Sequence, residues 1–147
     1  MKLAAAIIAI YWGAIFVTLG GETIDFGFAS LELPSASHDN PRQGIDSAVG
    51  TITSTDGTPT IHYDVGQGPT EVPSINAVDF LFLKTGKLDG YDYHATIHKS
   101  DPDQLSFFLI KPIFSGFWAT VNTELDRDKV LSILLRLKIK KSRESDR

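Results

Sequence analysis

From Glu22 onward, apolar and polar residues mostly alternate along the chain, and turn-forming residues recur at short intervals. Alternation with a period of two is typical of strands that bury one face, because successive side chains of a strand point to opposite sides. The pattern therefore predicts a mainly β (α+β) domain with an antiparallel sheet of about six to seven strands built from hairpins. We expect this sheet to form a small sandwich or half-barrel.

Three hairpins can be placed in register. In two of them an Asp-Gly pair, Asp56-Gly57 or Asp89-Gly90, supplies the positive-φ positions of a type I′ turn. The first turn pairs Ile52 with Ile61, Gly50 with Tyr63 and Ala48 with Val65. The second pairs Leu88 with Tyr91, Lys87 with Asp92, Gly86 with Tyr93 and Phe82 with Ile97. In both hairpins a glycine faces a tyrosine, which favours core-facing positions where the ring covers bare backbone.

The third hairpin is predicted to turn at Ser115-Gly116 and to join the segments LSFFLIKPIF and GFWATVNT. This turn pairs Phe114 with Phe117, Ile110 with Val121 and Ile113 with Trp118. Both faces of the hairpin are then apolar, so we expect the sheet to cover one face and a helix or an interface to cover the other. A lipid or peptide groove is the less favoured interpretation of Phe107, Phe108, Phe114, Phe117 and Trp118, because aromatic residues fill strand cores by preference.

The segments outside these hairpins contain one strand and two loops. Residues 23–33 are expected to form a first strand. A bulge is expected near Ala29 and Ser30, where the apolar residues switch from the even-numbered to the odd-numbered positions. Residues 34–46 and 66–74 are rich in polar residues, glycine and proline, and they are predicted to be irregular loops.

A helix is predicted near the C-terminal end of the sequence. Asp126 is the expected N-cap, and Leu125 and Val130 occupy the positions of a hydrophobic staple. Its apolar stripe is wide enough to require a sheet to pack against, and it consists of Val130, Leu131, Ile133, Leu134, Leu135 and Leu137.

Residues 3–21 carry no charge, and Lys2 precedes them. A run of this length matches either a secretory signal peptide or a membrane-spanning helix. Cleavage before Gly21 and retention as an anchor both remain open. In either case Lys2 marks the inner side, so the rest of the chain is predicted to lie across the membrane. We therefore expect residues 1–21 to be a signal or anchor, residues 22–140 a single extracytoplasmic domain, and residues 141–147 a basic polar tail.

Charge and composition exclude several functions. Residues 22–135 hold 16 acidic residues against 7 Lys and Arg, which argues against nucleic acid as the main partner because phosphate binding needs a basic face. The absence of cysteine from the sequence excludes disulfides and thiolate metal sites. Short stretches that match nucleotide-binding or catalytic motifs lack the flanking elements that these motifs require. We therefore expect neither a cofactor nor a resident metal.

Two His/Asp pairs are the candidate catalytic residues: His62 with Asp64, and Asp92 with His94. Each pair lies on the polar face of its predicted strand. If the two strands were neighbours, the four side chains could form a metal or acid–base site. A solvated sheet face is the favoured interpretation, because period two alone produces this pattern.

The leading functional hypothesis is an exported or membrane-anchored accessory domain of the cell envelope or exterior, without evident catalysis, that binds a protein or an apolar ligand. One alternative is a small exported metal-dependent or acid–base hydrolase that uses His62, Asp64, Asp92 and His94. The other is a membrane-anchored subunit of an envelope assembly, with the third hairpin as its interface.

Overall fold

The computed structural model describes residues 21–66, 68 and 75–141. These residues form ten strands, one short 3-10 helix at Ala77–Asp79 and one α-helix. The strands are β1 Thr23–Asp25, β2 Ala29–Glu32, β3 Ser37–Arg42, β4 Ala48–Ser54, β5 Ile61–Val65, β6 Phe80–Leu88, β7 Tyr91–His98, β8 Gln104–Leu109, β9 Ser115–Thr120 and β10 Lys138–Ile139. The helix, α1, is Glu124–Leu134.

The largest element is a seven-stranded antiparallel sheet with the order β3-β4-β5-β9-β8-β7-β6. It is open, with β3 and β6 as its edges, so it does not close into a barrel. A second antiparallel sheet contains β1, β2 and β10. The prediction of a mainly β fold with antiparallel sheets and a C-terminal helix is therefore confirmed.

The helix and the small sheet cover one face of the large sheet, which we call the inner face. Buried residues from all three parts form one hydrophobic cluster, and it includes Ile52, Ile61, Phe107, Phe117, Val130, Leu134, Leu31 and Ile139. Phe26 in the β1–β2 turn packs edge-on against Tyr63 and Phe117, with ring centroids 5.5 and 6.1 Å away. Burial of this apolar face is the main source of stability, since the chain contains no disulfide.

The registers of the first two predicted hairpins are confirmed, and both glycine–tyrosine pairs lie on the inner face. The second turn is also confirmed, because Asp89 and Gly90 both have positive φ, at 50° and 88°. The first turn is wrong in type: Gly57 has positive φ but Asp56 does not. The β4–β5 ladder ends at Ile52 and Ile61, and the last residues of β4 pair with β3 instead.

The predicted register of the third hairpin is wrong. The strands β8 and β9 pair Leu105 with Ala119, Phe107 with Phe117 and Leu109 with Ser115. The turn therefore lies between Leu109 and Ser115 and contains Pro112, whose missing N–H would interrupt a ladder. In this register Leu105, Phe107, Leu109 and Phe117 lie in the core, and the other face of the hairpin carries the partly exposed Phe108 and Trp118 together with Gln104 and Ser106.

Two segments differ from their predicted structure. Residues 23–33 form the β1–β2 hairpin and not one bulged strand. The turn is made by Gly27, which has a φ of 88° and whose N–H donates to Oδ1 of Asp25 over 2.8 Å. The expected loop at residues 34–46 contains β3, an exposed edge strand that tolerates Pro41 because edge positions need no ladder donor on their free side.

The C-terminal helix begins and ends at different residues from those predicted. Its N-cap is Thr123, whose side chain accepts the N–H of Asp126 over 3.0 Å. The expected hydrophobic staple is wrong, because Leu125 is 63% exposed. The apolar stripe is buried as predicted, apart from the partly exposed Leu135, but the helix stops at Leu134 and the chain then continues into β10.

Three predictions concern residues outside the described ranges. They are the signal or anchor at residues 1–20, most of the loop at residues 66–74, and residues 142–147 of the tail. Within the described part of the chain, α1 is too short to cross a membrane, and so no spanning helix is found there.

Candidate binding groove on the outer face of the sheet

The face of the large sheet opposite the hydrophobic cluster, here called the outer face, carries a mixed set of aromatic and polar side chains. Two rows of paired residues cross its central strands. One row runs from β5 to β7 through His62, Trp118, Ser106 and Thr96. The next row runs through Asp64, Gly116, Phe108 and His94. These rows arise from strand alternation, because their neighbours Tyr63, Phe117, Phe107 and Ala95 point into the core.

A groove of about 460 Å³ lies across these rows. This volume falls within the range of about 300–1,000 Å³ typical of small-molecule sites. Its aromatic walls include the side chains of Phe80, Phe108, Phe114 and Trp118. Its polar positions are Asp64, Thr96, His98, Gln104 and Ser106.

Gly116 leaves the centre of the second row without a side chain, and the ring of Phe114 lies over this position. A Cβ placed at Gly116 would lie 3.0 Å from Cε1 and 3.1 Å from Cζ of Phe114, so the phenyl ring already covers this backbone. The chain immediately before β9 places Phe114 there, and its carbonyl accepts the N–H of Gly66 over 2.9 Å. Phe114 thus forms a wall of the groove beside Asp64.

Aromatic stacking orients the remaining walls. Trp118 is 36% exposed and lies parallel to the imidazole of His62, with centroids 5.9 Å apart and 14° between the planes. Phe108 stacks in the same way on His94, at 5.1 Å and 14°. Each ring is held by a side chain of the adjacent strand, which limits its freedom before any ligand binds.

Asp64 is the unusual polar residue of the groove. Its Oδ1 atom is buried and has no hydrogen-bond partner. A buried carboxylate oxygen without a donor is costly, by about 1–3 kcal/mol or more. Among the described residues that line the groove, Asp64 is the only carboxylate, and the lining contains no lysine or arginine.

His98 lies at the β6 side of the groove. Its Nδ1 accepts the backbone N–H of Ser100 over 3.0 Å and lies 2.7 Å from Oγ of Ser100. In a neutral imidazole these contacts place the ring proton on Nε2. The edge of Phe80 packs against this ring with centroids 5.3 Å apart, so His98 is fixed by both neighbours.

The two predicted His/Asp pairs lie on the outer face, but they are not brought together. The strands β9 and β8 separate β5 from β7, which places the pairs three strand spacings, or about 14 Å, apart. Asp92 instead forms an ion pair with Lys87 at 2.9 Å, and this contact lowers the pKa of the Asp92 carboxyl. His94 keeps a buried Nδ1 without a partner. Within the described residues no three His, Asp or Glu side chains converge on a possible metal position.

The five aromatic residues that we expected in the core divide between the two faces. Phe107 and Phe117 are 1% exposed and belong to the core. Phe108, Phe114 and Trp118 line the groove on the outer face. Alternation along β8 already separates the two faces, with Leu105, Phe107 and Leu109 on one and Gln104, Ser106 and Phe108 on the other. The wrong hairpin register prevented us from predicting this separation.

Comparison with known proteins gives no relative: no family model matches the chain, and neither a curated protein nor a solved structure matches it.

Proposed function

We propose that this protein is an extracytoplasmic binding domain that holds a small, largely apolar ligand in the outer-face groove and performs no catalysis. The observation that carries this proposal is the groove itself, a concave space of about 460 Å³ on the outer face of the large sheet. Small-molecule sites are characteristically concave and apolar with a few fixed polar groups. The walls of Phe108, Phe114 and Trp118 and the isolated Asp64 match that description.

The extracytoplasmic address rests on the sequence. Residues 3–21 are free of charge and follow Lys2, as in signal peptides and N-terminal anchors. Expression of the full chain in a bacterium, followed by cell fractionation and intact-mass measurement, tests this address. Product in the periplasm, medium or membrane fraction is expected, and an intact chain in the cytosol would contradict it. Cleavage before Gly21 would distinguish a secreted domain from an anchored one.

Ligand binding can be followed at Trp118. The sequence has two tryptophans, Trp12 and Trp118, so Trp12→Phe in the full chain leaves one. Incorporation of 5-fluorotryptophan then gives a single fluorine resonance within the groove. Titration with 2-phenylethanol, a soluble neutral aromatic probe, is expected to shift this resonance in a saturable way.

A variant that fills the groove provides the specificity test. Ser106 lies beside Trp118 in the same row of the outer face, so Ser106→Leu should occupy the groove and abolish the saturable shift. Thr51→Leu is the matched control, since Thr51 is on the outer face in the same row but beyond His62 and outside the groove. No saturable shift in the parent chain, or equal loss in both variants, would count against a ligand site here.

A second candidate function, a membrane-anchored subunit of an envelope assembly, is supported by edge strand β6. Val78, just before β6, is 64% exposed, Leu81 60% and Leu83 37%, and one side of the strand has no partner in the described structure. Exposed apolar edges are common sites of strand addition. Sedimentation of the purified chain tests this function, and a monomer at all concentrations that binds no hydrophobic dye would argue against it.

For the alternative of a hydrolase that uses His62, Asp64, Asp92 and His94, the separation of β5 from β7 is unfavourable, since acid–base partners must lie within hydrogen-bond reach of a shared substrate. Metal analysis of protein purified without chelator, together with His62→Ala and His94→Ala, tests it directly.

A further inference from the structure

We infer that the ligand of the outer-face groove is a small organic cation, with an ammonium group that lies between the carboxylate of Asp64 and the surrounding aromatic rings. This inference rests on the proposed function and specifies its ligand class. Three independent features of the groove support it: an unpartnered carboxylate oxygen, aromatic walls and the sign of the local charge.

The first feature is Oδ1 of Asp64, which is buried and lacks a donor among the described residues. The protein therefore compensates the charge of this carboxylate poorly, and a positively charged group in the groove beside Asp64 would offset that charge through space. A neutral hydrocarbon would leave this oxygen unpartnered and would remove the remaining access of water to the carboxylate. Asp64 therefore favours a positively charged ligand over an apolar one of the same shape.

The second feature is the aromatic character of the walls around Asp64. Phe108, Phe114 and Trp118 line the same groove, and a cation near the face of such rings is attracted by their quadrupoles. Among aromatic side chains, tryptophan is the strongest partner for such a cation. Aromatic rings grouped around one carboxylate are suited to alkylammonium groups, which are too weakly hydrated and too bulky for an all-polar site.

The third feature is charge. The described lining of the groove contains one carboxylate and neither lysine nor arginine. The described lining contains one imidazole, His98, which lies on β7 at the β6 side of the groove, whereas Asp64 lies on β5. An anionic ligand beside Asp64 would therefore meet no lysine or arginine of this lining that could compensate the two negative charges.

The volume of about 460 Å³ limits the ligand to a small molecule. A metal ion is unsuitable, because no other carboxylate or pair of imidazoles converges with Asp64 in the described structure. The expected class is an ammonium group on a short apolar or aromatic body.

The test compares two probes of the same shape, choline and its uncharged carbon analogue 3,3-dimethylbutan-1-ol. Both are titrated into the full chain carrying Trp12→Phe and 5-fluorotryptophan, with the fluorine resonance of Trp118 as the readout. We expect choline to bind roughly tenfold more tightly than its uncharged analogue. A tenfold difference in affinity corresponds to about 1.4 kcal/mol, which is a typical cation–π and charge contribution.

Asp64→Asn keeps the shape of the side chain and removes its charge. It should lower the affinity for choline, reducing the preference over the neutral analogue to the part that the aromatic walls supply, and leave the affinity for the analogue unchanged. Asp92→Asn is the matched control, because Asp92 lies on the outer face of β7 but is paired with Lys87 and does not line the groove. It should leave the preference for choline intact. Far-UV circular dichroism and thermal unfolding of the free variants establish that the fold is retained.

The outcomes separate this inference from the proposed function. Equal affinity for choline and its analogue, an equal effect of Asp64→Asn on both, or binding of 2-phenylethanol without binding of choline would overturn the cation inference and leave the groove as a ligand site. Failure of all three probes to shift the Trp118 resonance would overturn both.

Discussion

The hydroxyl of Tyr63 donates a hydrogen bond to Oδ1 of Asp39 over 2.7 Å. The two residues belong to β5 and β3, and the tyrosine ring reaches across Gly50 of the intervening strand β4. Burial raises the pKa of the Asp39 carboxyl despite the hydrogen bond from Tyr63, which acts in the opposite direction. Burial and the nearby Asp39 carboxylate also raise the pKa of the Tyr63 phenol. This bond ties an exposed edge strand to the core.

Gly50→Ala should break this arrangement. A Cβ at Gly50 would collide with the ring and hydroxyl of Tyr63 and would lie 2.8 Å from the carbonyl oxygen of Asn40. We expect a loss of about 1–3 kcal/mol in the free energy of unfolding, the usual cost of overpacking. Urea denaturation measures it. Thr51→Ala, one position along β4 on the opposite face, is the control, and equal stability of the two variants would contradict the steric role of Gly50.

Tyr63→Phe should also destabilise the fold, but through the hydrogen bond. It removes one of the donors to the half-buried Asp39 carboxylate, at a cost of about 1–3 kcal/mol. Asp39→Asn keeps an acceptor for Tyr63 and should cost far less. A double-mutant cycle of Tyr63→Phe with Asp39→Ala, which removes the acceptor, isolates the pairwise contribution, and additive effects of these two changes would show that the bond is not stabilising.

The raised pKa of Asp39 gives a signed pH dependence. The folded state holds this proton more tightly than the unfolded chain, whose carboxyl has its ordinary pKa of 3.8. Ionised Asp39 therefore reduces stability at neutral pH, and this penalty disappears as the pH falls through the raised pKa towards 3.8. The stability of Asp39→Asn relative to the parent should thus be higher at pH 7 than at low pH. Denaturation of both chains across this range measures it, and a difference independent of pH would refute the assignment.

Asp89 should have two separable roles. It adopts a φ of 50° in the β6–β7 turn, and its Oδ2 accepts the N–H of Ile139 in β10 over 2.8 Å. Asp89→Asn preserves both roles. Asp89→Gly keeps the turn but loses the acceptor, and Asp89→Ala loses both.

We expect amide exchange at Ile139 to accelerate equally in the glycine and alanine variants, because each lacks the acceptor. The free energy of unfolding should fall further in Asp89→Ala, by about 1 kcal/mol, since alanine tolerates positive φ poorly. Unchanged exchange at Ile139 in both variants would show that Asp89 does not hold β10.

Thr123→Ala should destabilise the protein by about 1 kcal/mol through loss of the helix N-cap. The Thr123 side chain accepts the N–H of Asp126 over 3.0 Å, and no other described side chain accepts this donor. Thr123→Ser should restore most of the stability because serine is an equally good cap. Thermal unfolding compares these variants with Thr120→Ala, an exposed position in β9. A parent-like Thr123→Ala would exclude this cap as a source of stability.

The sequence predicts best those parts of the sheet where two local signals agree. Asp89-Gly90 determines a turn, and the pair of Gly86 and Tyr93 fixes the same register independently. The β4–β5 register was predicted correctly although the turn type was wrong, because the pair of Gly50 and Tyr63 restricts the register in the same way. Around Phe107 and Phe108, the odd-numbered and the even-numbered positions both carry apolar residues, so alternation cannot determine the register. The predicted register of the third hairpin was wrong for this reason.

Polar edge strands escape detection for the opposite reason. The strand β3 reads SHDNPR and buries almost nothing, so its extended backbone is stabilised by the ladder to β4 and not by its own side chains. The sequence indicated a groove only as the less favoured interpretation of its aromatic residues, because Asp64, Phe108 and Trp118 come together only through the order β5-β9-β8. Strand order depends on non-local pairing, which no local pattern specifies.

The strand order also has a consequence for the order of folding. Within the large sheet, β3-β4-β5 and β6-β7-β8-β9 are each a run of neighbours along the described chain, and β5 with β9 is the one pair that joins strands distant in sequence. Local ladders lose little loop entropy, whereas the β5–β9 ladder must close the whole segment between them. We expect the two meanders to form early and their joining to limit the rate. Because the groove spans the junction of β5 and β9, the protein would become able to bind a ligand only when this ladder has formed.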